Sequence, residues 1–102
     1  MKVISLNMNG IRAAERKGFY EWLQSQDADI VCLQETRIQE HQLTEKMLKP
    51  KGFMSYFNCA EKPGYSGVAI YCKNKPTRVY VGLGWEPFDK EGRMLRVDYG
   101  QL

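Results

Sequence analysis

Cysteine is scarce in this sequence, and the cysteines that are present do not form a metal-binding pattern. Cys32, Cys59 and Cys72 are three in number, and none lies within three residues of another. An odd count without Cys-x-x-Cys spacing predicts neither a disulfide framework nor a thiolate zinc site. This usage fits a reducing compartment, so the expected localisation is cytoplasmic.

Long hydrophobic runs are also lacking. No segment approaches the roughly 18 apolar residues that a membrane span needs. Only a short apolar run lies between Lys2 and Asn7. The sequence therefore predicts neither a membrane-spanning segment nor a signal peptide, and no membrane partner is expected.

Charge of one sign is not concentrated anywhere along the chain. Fifteen Lys and Arg residues against twelve Asp and Glu residues give a net charge of +3. This mild basic excess permits nucleic-acid binding without demonstrating it. The 102 residues are 43% hydrophobic and 26% charged, which is ordinary for a folded protein with one core. Residues 1–102 are therefore expected to form a single domain without repeats or linkers.

The first part of the chain has the pattern of a βαβ unit. Val3 to Leu6 is a short apolar run followed by polar residues and a glycine, which predicts a strand. Apolar residues recur at helical spacing at Phe19, Trp22 and Leu23, which predicts a helix that ends near Gln26. Ile30 to Leu33 is short and continuously apolar, as expected of an interior strand. Parallel strands joined by a helix place their carboxyl ends at one edge of the sheet.

The second part changes to a strand-rich pattern. A short helix is predicted around Gln42 to Leu48, closed by Pro50 and Gly52. Four strands separated by turn-forming clusters follow, and they suggest an antiparallel meander. These strands are Phe53–Asn58, Gly67–Cys72, Thr77–Leu83 and Met94–Tyr99. The whole pattern indicates an α/β fold with a mixed sheet.

Polar side chains follow the first two strands where each of them ends. Asn7 and Asn9 follow the first strand, and Glu35 follows the second. If strand geometry persists, Asn7 and Asn9 point to the same side, towards the region of Glu35. Mg²⁺ is often held by one or two carboxylates together with waters and substrate phosphates, so a single Glu beside amides suits it. Arg12 and Arg37 would flank the same edge and supply phosphate contacts.

Each of these residues also has a purely structural interpretation. Asn-x-Asn-Gly can simply satisfy a turn, because Asn and Gly tolerate left-handed backbone. Glu35 would then belong to a helix N-cap arrangement or form a surface ion pair with Arg37. The residue patterns alone leave both interpretations open. His41, the only histidine, is expected to be an exposed residue at a helix start.

Four segments, in order along the chain, carry a resemblance to a known family. Ala28–Arg37 (ADIVCLQETR) resembles a family signature, and Leu6–Ala13 (LNMNGIRA) resembles the strand that precedes it. Gly64–Ala69 (GYSGVA) and Asp89–Arg93 (DKEGR) are similar to a third and a fourth segment. Together they resemble the exonuclease III type of apurinic/apyrimidinic endonuclease, within the wider endonuclease, exonuclease and phosphatase superfamily. The resemblance implies one αβ half of a four-layer αββα sandwich, the amino-terminal half of that fold.

The resemblance also implies roles for individual residues. Glu35 would ligate a catalytic Mg²⁺, with Mn²⁺ as the alternative ion, and Asn7 would lie in or beside the metal shell. Asn9 stands where many relatives carry Asp, although the bacterial branch also uses Asn there. The positions that would line the DNA surface are Asn9, Arg12, Arg37, Gly64, Tyr65 and Arg93. For Tyr65 the alternative is a loop aromatic that packs on the edge of the sheet.

The implied activity is hydrolysis of DNA phosphodiesters at abasic sites and 3′ ends in base-excision repair. The implied partner is double-stranded DNA with an abasic site or a 3′ end, and in a bacterium this adds nucleoid association. In relatives, the tyrosine, the Asn and Asp pair and the terminal Asp-His dyad lie in a carboxyl-terminal half that these 102 residues do not contain. His41 does not match the catalytic histidine of the family.

Two expectations follow for the chain by itself. It is an incomplete and inactive portion of the enzyme, or, as the alternative, a non-catalytic nucleic-acid-binding or interaction fragment of the same family. The sheet face that meets a second sheet in relatives is expected to be apolar and uncovered, which favours self-association.

Overall fold

The computed structural model describes residues 1–100, which form a mixed four-stranded sheet, a separate hairpin and four short helices. The strands are β1 (Val3–Asn7), β2 (Ile30–Gln34), β3 (Met54–Asn58), β4 (Val68–Cys72), β5 (Arg78–Val81) and β6 (Leu95–Asp98). The helices are α1 (Ile11–Arg16), α2 (Phe19–Ser25), α3 (Glu45–Leu48) and α4 (Glu86–Asp89), with one 3₁₀ turn at Glu40–Gln42. Among these residues no helix is both long enough and apolar enough to cross a membrane.

The predicted strands are all present, and the bounds of each agree to within two residues. The predicted helix at 42–48 is divided, because Leu43 has extended backbone with ψ 128°. The Thr44 hydroxyl then accepts the N–H of Met47 at 3.3 Å and starts α3 as an N-cap. His41 lies exposed in the 3₁₀ turn, as expected.

Two helices have no counterpart among the sequence predictions. The six-residue α1 buries only Ile11 fully, so its sequence has no apolar stripe from which a period could be recognised. The four-residue α4 follows Trp85 and carries Pro87 in its first turn, where proline is tolerated. Both helices are set by the loops that precede them rather than by amphipathic patterning.

The sheet has the strand order β1–β2–β4–β3, with β1 and β2 parallel and the other neighbours antiparallel. The register pairs Asn7 with Gln34, so the carboxyl ends of β1 and β2 meet at one edge, as predicted. The predicted antiparallel meander is present as two separate pairs, β3 with β4 and β5 with β6, but it is wrong at its middle step, because β4 pairs with β2 and not with β5. The largely buried strand β4 takes a central place because a strand that is apolar on both faces needs cover on both.

The main core lies between the sheet and the helices. Val31, Leu33 and Tyr71 from the central strands are at most 1% exposed, and they pack with Ile11 and Leu23 of α1 and α2. Burying apolar side chains of this size contributes about 1.5–3 kcal/mol each to folding. This packing fixes the positions of the loops that leave the sheet at the Asn7 edge.

The other face of the sheet is covered only in part. Strand β6 packs against β3 and β4, and Cys72 and Ile70 on that side are buried at 0% and 7% exposure. Over β1 the face is open, where Val3 is 57% exposed and Ser5 is also exposed. The predicted uncovered apolar face is therefore smaller than expected, because the hairpin folds back over half of it.

Candidate active site

Three loops meet at the edge where β1 and β2 end, and backbone hydrogen bonds hold them together. The N–H of Gly10, in the loop after β1, donates to the carbonyl of Glu35 at 2.8 Å. The N–H of Arg37 donates to the carbonyl of Ser66, in the loop before β4, also at 2.8 Å. Main-chain bonds in both directions make the segment around Glu35 the fixed centre of this edge.

Left-handed backbone is concentrated at the same edge. Within residues 1–100, five residues other than glycine have positive φ, and four of them lie here: Asn9 (49°), Glu35 (51°), Arg37 (54°) and Ser66 (50°). Such conformations cost free energy for residues with a Cβ and cluster at functional sites, where surrounding structure holds them. The strain points to a site whose side chains need directions that a regular strand or helix does not provide.

Glu35 is held as a carboxylate by two donors. The amide Nδ2 of Asn7 donates to its Oε2 at 2.5 Å, and Nη2 of Arg37 donates to its Oε1 at 2.7 Å. These bonds, first that from Asn7 and then that from Arg37, lower the pKa of Glu35 below its ordinary value. The ion pair with Arg37 considered from the sequence is thus present, and it prepares an ionised carboxylate at a partly exposed position.

The turn interpretation of Asn-x-Asn-Gly is also realised. The Oδ1 atom of Asn7 accepts the N–H of Asn9 at 2.9 Å, forming a turn of the kind that Asn favours. Strand β1 ends at Asn7, and Asn9 has φ 49°, so the extended geometry assumed for placing both amides on one side does not persist. Asn7 therefore serves the turn through its oxygen and Glu35 through its nitrogen.

A cleft of about 420 Å³ lies beside this edge and is lined by arginines. Arg12, Arg37 and Gly64, three of the residues expected to bind DNA, line it together. Arg16 lines it as well, and the sequence analysis missed this residue. The sequence did carry a signal for Arg16, namely its i, i+4 spacing from Arg12. That spacing places two residues on one face only in a helix, and α1 was not predicted. Among the described residues neither of these two arginines has an acidic partner within ion-pair distance.

Tyr65 and Arg93 form a second cluster, between the loop before β4 and the loop before β6. Arg93 donates to the Tyr65 hydroxyl and to the Glu91 carboxylate, each at 2.5 Å. Its guanidinium carbon lies 5.3 Å from the centre of the Tyr65 ring, and Lys62 Nζ lies 5.1 Å from it. The carboxylate of Glu91, followed by the Tyr65 hydroxyl, raises the pKa of Arg93. The structure thus brings these two predicted DNA contacts together and gives Tyr65 defined partners.

The donor set at this edge fits a divalent metal ion that takes few protein ligands. Within residues 1–100 no group of three or more His, Cys, Asp or Glu side chains is placed to hold a metal. One ionised carboxylate, Glu35, is present, and this fits Mg²⁺, which keeps most of its waters and takes few protein ligands. The Oδ1 atom of Asn7 already accepts the N–H of Asn9, so its second lone pair is the one that could bind a metal ion.

Known proteins match nearly the whole chain. Residues 4–101 match the Endonuclease/Exonuclease/phosphatase family. The chain is 46% identical over 100 residues to an exodeoxyribonuclease of Bacillus subtilis, covering 97% of this chain and 38% of that protein. It is 35% identical over 102 residues to a DNA-(apurinic or apyrimidinic site) endonuclease of Dictyostelium discoideum, covering 100% and 28%.

Solved structures match the fold as well. An AP endonuclease from Archaeoglobus fulgidus has a TM-score of 0.76 at 32% identity, over 92% of this chain and 35% of that one. The chain therefore spans about a third of the length of these relatives. The resemblance and the α/β fold expected from the sequence are confirmed. This chain belongs to the Endonuclease/Exonuclease/phosphatase family.

Proposed function

We propose that this chain supplies the metal-binding carboxylate and part of the DNA surface of a nuclease that hydrolyses phosphodiesters at abasic sites and 3′ ends in base-excision repair. One observation carries the proposal: the ionised Glu35 lies at a strained sheet edge that adjoins a cleft lined by Arg12, Arg16 and Arg37. The relatives, an exodeoxyribonuclease and an apurinic or apyrimidinic site endonuclease, support DNA as the substrate.

The first part of the proposal concerns the metal. Glu35, with Asn7 in or beside the shell, would hold Mg²⁺ or alternatively Mn²⁺, an ion that supplies charge neutralisation at the phosphate and activation of water. Asn7 and Arg37 contribute by keeping both carboxylate oxygens of Glu35 oriented and unprotonated. The carboxylate is then ready to bind a cation without first losing a proton.

The second part concerns DNA. A guanidinium forms paired hydrogen bonds with phosphate oxygens, so Arg12 and Arg16 suit successive phosphates of a backbone. Gly64 leaves the wall of the cleft without a side chain, and no atom lies within 4 Å of the place its Cβ would take. Asn9 and Tyr65 extend the proposed surface along the same loops, and Arg93 adds the loop before β6, where it contacts Tyr65.

In this proposal the chain does not form a complete hydrolytic site by itself. The only histidine, His41, is exposed in the 3₁₀ turn and has no bond to Glu35 in the part of the chain described. Groups that act as a catalytic unit lose several orders of magnitude in rate when one is missing. Residues 1–102 alone are therefore proposed to be inactive or nearly so.

Two measurements test the proposal: Mn²⁺ binding, and cleavage of duplex DNA that carries one abasic site. Electron paramagnetic resonance should show that Mn²⁺ binding is lost in Glu35→Gln and kept in Glu21→Gln, an exposed control on α2. Cleavage by the unchanged chain with Mg²⁺ should stay at background. Unchanged Mn²⁺ binding in Glu35→Gln would contradict the metal role, and metal-dependent cleavage abolished by Glu35→Ala would contradict only the inactivity.

A non-catalytic nucleic-acid-binding fragment is the second candidate, favoured by Arg12 and Arg16 in the cleft, which form no ion pair within residues 1–100. Such a fragment binds duplex DNA without a metal, with an affinity that falls steeply with salt. Binding that requires Mg²⁺ and is lost in Glu35→Gln would favour the enzyme portion. Salt-dependent binding that ignores Glu35→Gln and is lost with both arginines would favour the binding fragment.

We propose a cytoplasmic location, with nucleoid association in a bacterium. It is supported by the cysteines, since Cys32, Cys59 and Cys72 are all free thiols, as is usual in a reducing compartment. Cell fractionation tests it, and recovery of the protein only from an oxidising compartment would contradict it. Self-association through the open sheet face beside Val3 also stays a prediction.

A further inference from the structure

Arg93, a residue of the proposed DNA surface, has a carboxylate bound to one edge of its guanidinium. Its Nε donates to Oε1 of Glu91 at 2.5 Å, and its Nη2 donates to the Tyr65 hydroxyl, also at 2.5 Å. The Tyr65 hydroxyl lies 3.4 Å from the same Glu91 oxygen, so the three side chains contact one another. Within residues 1–100 the Nη1 atom of Arg93 has no hydrogen-bond partner. Because the guanidinium is a rigid fork of five donors, its Nη1 edge stays available to an incoming anion.

The backbone around Glu91 is held from two sides. The N–H of Glu91 donates to the carbonyl of Phe88 in α4 at 3.1 Å. The carbonyl of Lys90 accepts the N–H of Glu61, in the loop after β3, at 2.9 Å. Gly92 approaches that loop so closely that a Cβ there would lie 2.6 Å from a backbone nitrogen of the loop, and its φ is +59°. The carboxylate of Glu91 therefore extends from a fixed backbone position.

Neither folding nor attraction of DNA accounts for the ion pair between Glu91 and Arg93. The two side chains are 45% and 44% exposed. Exposed pairs contribute little to stability, because water screens them and both side chains lose freedom. The pair also neutralises a positive charge that would by itself attract phosphate. What Glu91 does provide is a defined direction for the Arg93 side chain.

We propose that Glu91 is a positioning residue, which holds Arg93 so that the free edge of its guanidinium is ready to bind a phosphate of the DNA backbone. The inference rests on the DNA surface proposed above and adds to it a residue that contacts no phosphate itself. An arginine that is oriented before binding loses less conformational entropy when the phosphate arrives. Removal of the Glu91 carboxylate should therefore weaken DNA binding, although it makes the chain more positive. Charge alone predicts the opposite sign.

DNA binding by Glu91→Gln distinguishes orientation from charge. Fluorescence anisotropy of labelled duplex DNA with one abasic site, without metal, should show an affinity about fivefold below that of the unchanged chain, the size of one lost hydrogen bond. Glu61→Gln is the matched control, because it removes the same charge from an exposed position beside Lys62 and leaves the bonds of Arg93 intact. Its affinity should not fall. Binding by Glu91→Gln that is as tight as that of the unchanged chain, or tighter, would overturn the proposal.

A double substitution tests whether Glu91 acts through Arg93. In a chain that already carries Arg93→Gln, the change Glu91→Gln should cause no further loss of affinity, because the side chain to be oriented is absent. A carboxylate that only maintains the fold of the loop would be missed equally in both backgrounds. An equal further loss in the Arg93→Gln chain would therefore contradict the positioning role.

The orientation of Arg93 can also be measured without DNA. In NMR spectra its Nε proton should exchange slowly with water in the unchanged chain and in Glu61→Gln, and faster in Glu91→Gln. Equal exchange in all three chains would overturn the proposal. If the unchanged chain does not bind duplex DNA, the proposed DNA surface fails and this inference fails with it. If binding falls in Arg12→Gln but not in Glu91→Gln, the surface stands and only the inference fails.

Discussion

Gly67 and Thr36 share one space behind Glu35, since a Cβ on Gly67 would lie 2.3 Å from the Thr36 hydroxyl oxygen. The N–H of Thr36 donates to the Gly67 carbonyl at 3.1 Å, and its own carbonyl accepts the N–H of Ile11 at 2.9 Å. This close approach brings the loop before β4 against the segment after β2. The direction in which Glu35 leaves the sheet therefore depends on a glycine at position 67.

Gly67→Ala should strongly destabilise the fold. The new methyl group would overlap the Thr36 hydroxyl at a backbone φ of +87°, so we expect a loss of about 3 kcal/mol from the two effects together. Gly18→Ala is the matched control, with φ +93° and no atom within 4 Å of the Cβ position. It should lose only about 1 kcal/mol. Urea unfolding measures both, and equal losses would contradict the close approach.

Thr36→Val should have the opposite effect. The Thr36 side chain is 1% exposed, and its hydroxyl has no hydrogen-bond partner within the described residues. Replacing an unsatisfied buried hydroxyl by a methyl group of similar shape should stabilise the fold by about 1 kcal/mol. Thr77→Val is the control. The Thr77 hydroxyl accepts the N–H of Gly100 at 2.8 Å, so its removal should lower the free energy of unfolding. A loss of unfolding free energy in Thr36→Val would show that the hydroxyl has a partner.

The sequence sufficed to predict the parts of the site that depend on strand ends. Asn7 and Glu35 follow apolar runs, and parallel pairing of those runs brings them together whatever the rest of the chain does. Arg16 was missed because its place depends on α1, which has glycine as its N-cap and a single fully buried residue. The turn at Asn9 was one of the two interpretations that the sequence offered, whereas the left-handed backbone at Ser66 accompanies a bond that its carbonyl accepts from the distant Arg37 N–H, which periodicity does not encode.

Strand order was the other part that local patterns did not determine. Each strand was recognised from its own residues, but the meander assumed that neighbours in sequence are neighbours in space. The strongly apolar β4 does pair with β3, its neighbour in sequence, but its other partner is β2 and not β5, since Ala69 and Tyr71 are buried in the core on one face and Cys72 under the hairpin on the other. Competition among strands for the central place is a tertiary property, and it overrides adjacency along the chain.

The pH dependence of folding should change when the donors to Glu35 are removed. The folded pKa of Glu35 lies below its ordinary value, so its carboxylate stabilises the fold above that ordinary value. This stabilisation is lost as the pH falls through the lowered pKa. Asn7→Ala and Arg37→Gln should each raise the Glu35 pKa towards its ordinary value, as followed by the carbon chemical shift of its carboxyl group.

Stability measurements provide the check on this assignment. The difference in unfolding free energy between the unchanged chain and Glu35→Gln should be constant near neutral pH and should shrink as the pH falls from the ordinary pKa through the lowered one. Glu21→Gln, at an exposed position on α2, is the control. A difference that grows as the pH falls would mean that the Glu35 pKa is raised and not lowered.

Arg12 and Arg16 should each contribute one phosphate contact to DNA binding. Every phosphate that a protein neutralises releases a counterion, so log K falls with log salt concentration in proportion to the number of contacts. Arg12→Gln and Arg16→Gln should each reduce that slope by about 1 and weaken binding similarly for all sequences. Because both residues line the same cleft, the double variant should reduce the slope by about 2.

Arg78→Gln separates these contacts from a general loss of positive charge. Arg78 is exposed on β5 and does not line the cleft, so its removal lowers the net charge equally without touching the proposed DNA surface. The slope should then stay as in the unchanged chain, measured by fluorescence anisotropy of labelled duplex DNA over a series of salt concentrations. If Arg78→Gln reduces the slope as much as Arg16→Gln does, DNA responds only to total charge. The cleft beside Glu35 would then hold no phosphate.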